Sequence, residues 1–293
     1  MTKTAWVFPG QGSQSVGMGA DLSAIESATA RLAIAEQILG WSVLDVCQSD
    51  DEKVSNTLYT QPCLYVIESI LVDLLSDCTG KPDLVAGHSL GEYVALYAAQ
   101  VFDFEAGLRL VKCRAELMAN ASDGMMAALM GFNRDELDVL LEKLDGVVLA
   151  NDNNPGQVVV SGIPEAVEAL MASIKAKRKV PLKVSGAFHS PLMADAAADY
   201  GNVLDAIAFQ PATIPVMSNV DPTPETDAET LKERLKQQMT GSVRWREISL
   251  RLPDEGIETV IEVGPGNVLT GLIKRTCSGL TLKNVKSSAD LPD

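Results

Sequence analysis

Short apolar runs alternate with helix-length amphipathic segments along most of the 293 residues, the pattern of a mainly parallel α/β core. Core strands are expected at "KTAWVF", "DLVAGH", "IPVMSN" and "ETVIEV", each followed by glycine, proline or asparagine turn signals and then by helical periodicity. Residues 125–188 read differently. There the order is a strand ("MMAALMGF"), a helix ("RDELDVLLEKL"), a hairpin from "VVLAND" to "GQVVVSG", a second helix ("PEAVEALMASIKAK") and a strand ("KVPLKVSG"). That β-α-β-β-α-β order is the split βαβ, ferredoxin-like plan. The expectation is a small subdomain at 125–188 inserted into a larger α/β one built from 1–124 and 189–293, with the ligand cleft where the two meet.

Composition narrows the setting. With 46% hydrophobic residues the chain can bury a substantial core without metals or disulfides. Its five cysteines are dispersed and form no CxxC pair, which suits a reducing compartment, the cytoplasm by default. The apolar run in "MTKTAWVFPGQG" is too short for a signal peptide, and the later stretch "LYVIESILVDLL" is interrupted by Glu68 and Asp73, so no membrane span is expected. A formal charge of -15 disfavours nucleic acid and anionic membrane surfaces as partners. An acidic partner would need a local basic patch.

The chemistry-bearing stretch is "DLVAGHSLGEYVAL". Its "GHSLG", Gly87 to Gly91, matches the G-x-S-x-G nucleophile elbow, with the apolar strand before it and the helix after it that the motif requires. Ser89 would stand at a helix N-terminus, where the dipole and free amides favour developing negative charge and the amide of Leu90 is an oxyanion donor. The plainer alternative is a serine N-cap beside packing glycines; the strand and helix context favours the nucleophile. The chain has two histidines, His88 and His189. His88 adjoins Ser89 and leaves the backbone in another direction, whereas His189 lies where the small subdomain returns to the large one. His189 is therefore the imidazole base expected for Ser89. A lysine base remains an alternative, although no S-x-x-K pattern starts at this serine.

In "FEAGLRLVKCRAELM", Leu108, Val111, Ala115 and Met118 form an apolar helical stripe with Arg114 on its edge, while Arg109, Lys112 and Glu116 face away. An inward arginine is either a snorkelling or ion-paired structural residue or a bidentate clamp for a substrate carboxylate. The glycine-rich "FPGQGSQSVGMG" has Ser15 at the third fingerprint position counted from Gly10 and no GK[ST], so it is neither a Rossmann nor a P-loop. Such a turn after a first strand can still donate amides into a site.

Taken together, "FPGQGSQSVGMG", "TQPCLYV", "AGHSLGEYVAL", Arg114 in "RLVKCRAELM", "NNPGQVVVSG", "AFHSPLM", "PVMSNVD" and "EVGPGNVLTGLIKR" resemble the malonyl-CoA:acyl carrier protein transacylases of fatty acid synthesis, in the family's order, from about residue 4 to residue 276. The resemblance implies an α/β-hydrolase-like large subdomain with an inserted ferredoxin-like small one. It implies that Ser89 is acylated, that His189 is its base, that Arg114 grips the malonyl carboxylate, and that the amides of Gln11 and Leu90 form the oxyanion hole. The third triad member in this family is a backbone carbonyl, which "LKQQMTGSVRW" assigns to Gln238. Asn153 and Asn219 match family asparagines and are cleft-lining candidates for substrate binding. Phe188 departs from the serine of many bacterial fatty-acid members and resembles the "AFH" of malonyl-selective polyketide acyltransferase domains, where a phenylalanine would crowd an α-methyl group.

The function so implied is ping-pong transfer of malonyl from malonyl-CoA to the phosphopantetheine thiol of an acyl carrier protein, with no permanently bound cofactor and no metal. Carrier proteins of this pathway are acidic, so the basic runs Lys175 to Lys179 ("KAKRK") and Lys274/Arg275 ("LIKRT") are docking candidates on a chain of charge -15. Two alternatives stand beside this reading. One is a serine hydrolase or thioesterase acting on an acidic acyl ester, since the elbow does not distinguish water from a thiol. The other is a noncatalytic carrier-binding protein of the same fold. The sequence leaves open whether the carrier serves fatty acid or polyketide synthesis.

Overall fold

A computed structural model describes residues 2–121, 124–184 and 186–292. The chain opens with β1 (Lys3–Phe8) and helices α1 (Glu26–Leu39), α2 (Val43–Cys47), α3 (Asp51–Val54) and α4 (Thr57–Thr79). β2 (Leu84–Gly87) leads into α5 (Gly91–Ala98) and α6 (Phe104–Ala119). Next come β3 (Met125–Phe132), α7 (Arg134–Lys143), β4 (Val147–Asn154), β5 (Gln157–Gly162), α8 (Pro164–Ser173) and β6 (Ala176–Pro181). The chain returns through α9 (Ala194–Ala206), β7 (Val216–Met217), α10 (Ala228–Gln238), α11 (Trp245–Asp254), β8 (Ile257–Val263), α12 (Val268–Thr276) and β9 (Thr281–Val285).

Five strands form a parallel sheet in the order β7-β2-β1-β8-β9. Side-chain alternation divides β1 between two cores: Ala5 and Val7 pack with Ala86, Val260 and Trp245, while Trp6 and Phe8 pack with Val85, Val263 and α4. Where both faces are covered, as at β2 and the latter part of β1, the strand reads as an apolar run. Helix α4 is long and apolar enough to cross a membrane, but 78% of its apolar window is buried inside the fold. The second sheet is antiparallel, β4-β5-β3-β6, with α7 and α8 packed on it through Leu137, Val167 and Leu170. That is the ferredoxin-like arrangement.

Two sequence expectations shift. The helix read through 164–177 ends at Ser173, because Ile174 takes extended backbone (φ -74, ψ 140) and buries its side chain. The strand read at 179–186 runs instead over 176–181, where Phe132 pairs with Ala176 and Leu129 with Lys179. The "KAKRK" cations are therefore strand residues, apart from Lys175 just before it. Ser185, inside the expected strand, lies outside the described residues. The sequence reading had no counterpart for β9, whose first four residues are only half-buried or exposed.

Backbone joins strand β4 of the small sheet to the segment between α10 and α11. Val243 N donates to Ala150 O at 2.8 Å and Asp152 N to Val243 O at 2.9 Å. The buried Asp152 carboxylate also accepts from Arg134 of α7 and Arg246 of α11.

Candidate active site

Strand β2 ends at Gly87 and α5 begins at Gly91, so the chain must turn within His88, Ser89 and Leu90. Ser89 takes the apex with φ 52, left-handed backbone that a residue with a Cβ adopts only under strain. Close approach dictates the flanking glycine: a Cβ on Gly91 would lie 2.0 Å from the Phe8 carbonyl oxygen. Gly10 meets the same limit, since its Cβ would fall 2.4 Å from the His88 carbonyl oxygen. The loop after β1 therefore packs directly on the elbow and brings Gln11 beside Ser89 in one cavity wall.

Ser89 Oγ lies 2.8 Å from Nε2 of His189. The other ring nitrogen, Nδ1, faces two carbonyl oxygens, Gln238 O at 2.9 Å and Gly241 O at 3.1 Å. Carbonyls only accept, so Nδ1 carries the proton and Nε2 presents its lone pair to the serine hydroxyl. His189 is also held at positive φ, 56°, on the turn that re-enters the large subdomain. Burial, and then the nearby charge of Arg114, push its pKa down to about 3, which keeps the ring neutral.

Arg114 is 1% exposed on the inward face of α6. Its Nη2 donates to Ser89 Oγ and to Gln238 Oε1, each at 3.0 Å, and Nη1 donates to Gln61 Oε1 at 2.5 Å. The guanidinium carbon stands 5.4 Å from the centre of the Tyr93 ring. Among the described residues no carboxylate pairs with Arg114 directly. An ion-paired structural arginine would show such a partner; here the fork points at the serine.

Ser89, His189, Arg114, Gln11 and Leu90 line a cavity of about 100 Å³, closed from the small-sheet side by Met126 and by Phe188 on the connecting turn. A larger hollow of about 860 Å³, around Arg31, Asp73 and Ile207, contains none of the candidate residues. Asn153 and Asn219 do not line the active cavity, which corrects their reading as cleft-lining residues. Asn153 Oδ1 sits 2.9 Å from His88 Nε2. Asn219 is buried beneath the elbow, where its Oδ1 accepts from Ser89 N at 2.7 Å and its Nδ2 donates to Gly87 O at 2.6 Å. Both ends of the Asn219 amide hold the turn, and Asn153 holds the His88 ring. The sequence reading missed Gln61, Asn151, Gly241 and Glu92. Among these, Asn151 reaches the cavity from β4, and only the inward phase of α5 would have singled out Glu92.

Residues 5–292 match the family of acyl transferase domains. The malonyl CoA-acyl carrier protein transacylase of Synechocystis sp. is 59% identical over 289 residues, 99% of this chain and 99% of that one. The chain belongs to the malonyl-CoA:acyl carrier protein transacylase family. Within that family, the crystal structure of the Synechocystis transacylase superposes with a TM-score of 0.97 over 98% of both chains. The polyketide biosynthesis malonyl CoA-acyl carrier protein transacylase PksC of Bacillus subtilis is 43% identical over 278 residues, 92% of this chain and 96% of that one. A solved complex of a type II PKS acyl-carrier protein with its malonyl-transacylase matches at TM-score 0.93 and 38% identity, over 99% of this chain and 97% of that one.

Proposed function

We propose that the chain transfers malonyl from malonyl-CoA to the phosphopantetheine thiol of an acyl carrier protein, through a malonyl ester on Ser89, in support of fatty acid synthesis. One observation carries the reading. Ser89 Oγ is held at once by the unprotonated Nε2 of His189 at 2.8 Å and by the Arg114 guanidinium at 3.0 Å. In the first half-reaction His189 takes the serine proton and Oγ attacks the thioester carbonyl. The C–S bond then breaks, and Nε2 returns the proton to the sulfur of CoA. The second half runs in the opposite sense with the carrier thiol as nucleophile. The amides of Gln11 and Leu90 stabilise each oxyanion, the Gln238 carbonyl orients the ring, and Arg114 turns from Ser89 to the malonyl carboxylate. Phe188 limits the space at the α-carbon. This acid-base chemistry asks for no bound cofactor.

The two basic runs are unequal as carrier docks. Ser89 lies at the C-terminal ends of the parallel strands, and α12 must carry the chain back to start β9 beside β8, so Lys274 and Arg275 in its last turn face the far end of the sheet. Strand β6 edges the small sheet and runs into Leu182 and Val184 of the cavity wall. We assign docking to Lys175, Lys177 and Arg178, all exposed, beside Lys179, which is held by Met171 O at 2.6 Å. The division into 1–124 with 189–293 and 125–188, and a cytoplasmic setting, belong to the same proposal.

Intact mass tests it. Brief exposure to malonyl-CoA should add one malonyl to the protein but not to Ser89→Ala, and a phosphopantetheinylated carrier should remove it and gain the same mass. An adduct that decays to free malonate regardless of carrier would establish a hydrolase instead, and absence of any adduct would overturn the Ser89 chemistry.

A further inference from the structure

Glu92 lies three residues beyond the nucleophile, in the first turn of α5, and is fully buried. Its Oε2 accepts from Asn219 N at 3.1 Å and from Gln238 Nε2 at 2.8 Å. At the other end of the same Gln238 amide, Oε1 accepts from Arg114 Nη2 at 3.0 Å. The amide orientation follows from its neighbours, because a carboxylate needs the NH2 end and a guanidinium the oxygen. Its dipole therefore bridges a buried carboxyl group and a buried cation that do not touch; burial raises the pKa of that carboxyl, while the donors from Gln238 and Asn219 and the charge of Arg114 act to lower it.

We infer that ionised Glu92 is the resident counter-ion of Arg114, coupled to it through the Gln238 side-chain amide so that the guanidinium stays compensated with no carboxylate on its fork. A buried arginine with no counter-charge carries a heavy desolvation cost, whereas a carboxylate in direct contact would fill the fork that a substrate needs. The interposed amide avoids both. Glu92 also acts on the nucleophile, since the Asn219 it holds accepts from Ser89 N, and Gln238 Nε2 donates to Ser89 O at 2.9 Å. It is a positioning residue, acting through Gln238 and Asn219. In charge terms it opposes an incoming carboxylate and thereby sets how tightly Arg114 holds it.

The inference rests on Arg114 as the carboxylate clamp, so the experiment separates the two. Ser89 acylation by malonyl-CoA and by acetyl-CoA would be compared in wild type, Glu92→Gln, Arg114→Gln and the double variant. Glutamine at 92 keeps the acceptor oxygen and removes the charge. The malonyl:acetyl ratio of kcat/KM should rise about 10-fold in Glu92→Gln, and this gain should vanish in the Arg114→Gln background. A purely structural Glu92 would slow both acyl groups equally, and an unchanged or lowered ratio overturns the relay. If Arg114→Gln itself leaves the ratio unchanged, the clamp reading fails independently of Glu92. Should Glu92→Gln alone not fold, the double variant decides: recovery of folded protein when the cation is also removed supports the counter-ion, and no recovery overturns it.

Discussion

The desolvated state of His189 makes a quantitative demand on the pH dependence of acylation. A histidine titrating near 6.5 would be only about 3% neutral at pH 5, whereas one pushed down to about 3 is about 99% neutral there. Because kcat/KM reports the free enzyme, Ser89 acylation by acetyl-CoA should hold its value from about pH 7.5 to about pH 5, roughly 30-fold above what an unperturbed base allows. Rapid quench with intact-mass readout measures this at substrate concentrations below KM. The causes are separable: burial is the larger and Arg114 the next, so Arg114→Gln should move the acid limb upward but not to its ordinary position. Stability follows the same group. The unfolded histidine binds its proton below about 6.5 and the folded one only below about 3, so stability falls as pH drops through that window, by about 2 kcal/mol at pH 5. His189→Gln should remove that slope from urea midpoints. A wild-type kcat/KM that falls tenfold per pH unit below 6.5 would refute the argument.

Gly91→Ala should lower acylation by about 100-fold or more and stability by about 1–3 kcal/mol, because its Cβ meets Phe8 backbone at 2.0 Å; mass-detected acylation near the wild-type rate would contradict this. Glu68 is buried with neither carboxylate oxygen bonded among the described residues, and burial, with Glu262 beside it, raises its pKa well above 4.5. The folded state then keeps a proton that the unfolded state sheds, so stability falls as pH climbs above about 4.5. Urea midpoints of Glu68→Gln should gain on wild type from about pH 5 to pH 8, and parallel curves would count against it. Phe188→Ser should raise the methylmalonyl:malonyl ratio of kcat/KM by about 10-fold or more, and an unaltered ratio would leave Phe188 a packing residue. Reversing charge at Lys177 and Arg178 should weaken carrier-dependent turnover and flatten its salt dependence, whereas reversal at Lys274 and Arg275 should do neither; the opposite pattern moves the dock to α12.

Ser89 was legible as an elbow residue because a five-residue spacing fixes a backbone turn, and His189 as its proposed base because imidazole is rare in this chain. Helical phase put Arg114 on the inward edge of α6 and left its role open; the clamp came from family resemblance. The residues that hold these groups were not legible for a common reason: Gln61, Glu92 and Gly241 acquire their roles from contacts 53, 146 and 52 residues away along the chain. Gln238 came only from family resemblance, since a backbone carbonyl leaves no mark on residue type. The misplaced end of α8 has a local cause. Lys175, Ala176 and Lys177 favour a helix by intrinsic propensity, and pairing of Ala176 with Phe132 overrides it. Strand β9 was missed because an edge strand half-open to solvent lacks the apolar run that marks its neighbours.

The order in which the parallel sheet is threaded bears on how the enzyme is made. β1 and β2, with the serine between them and α5, leave the ribosome early, but the strand on the other side of β1 is β8, near the end of the chain. The imidazole, the carbonyl that aims it and the last two strands all follow the inserted small sheet. On the proposed chemistry a nascent chain displays Ser89 without its base, and acylation waits until synthesis is nearly finished.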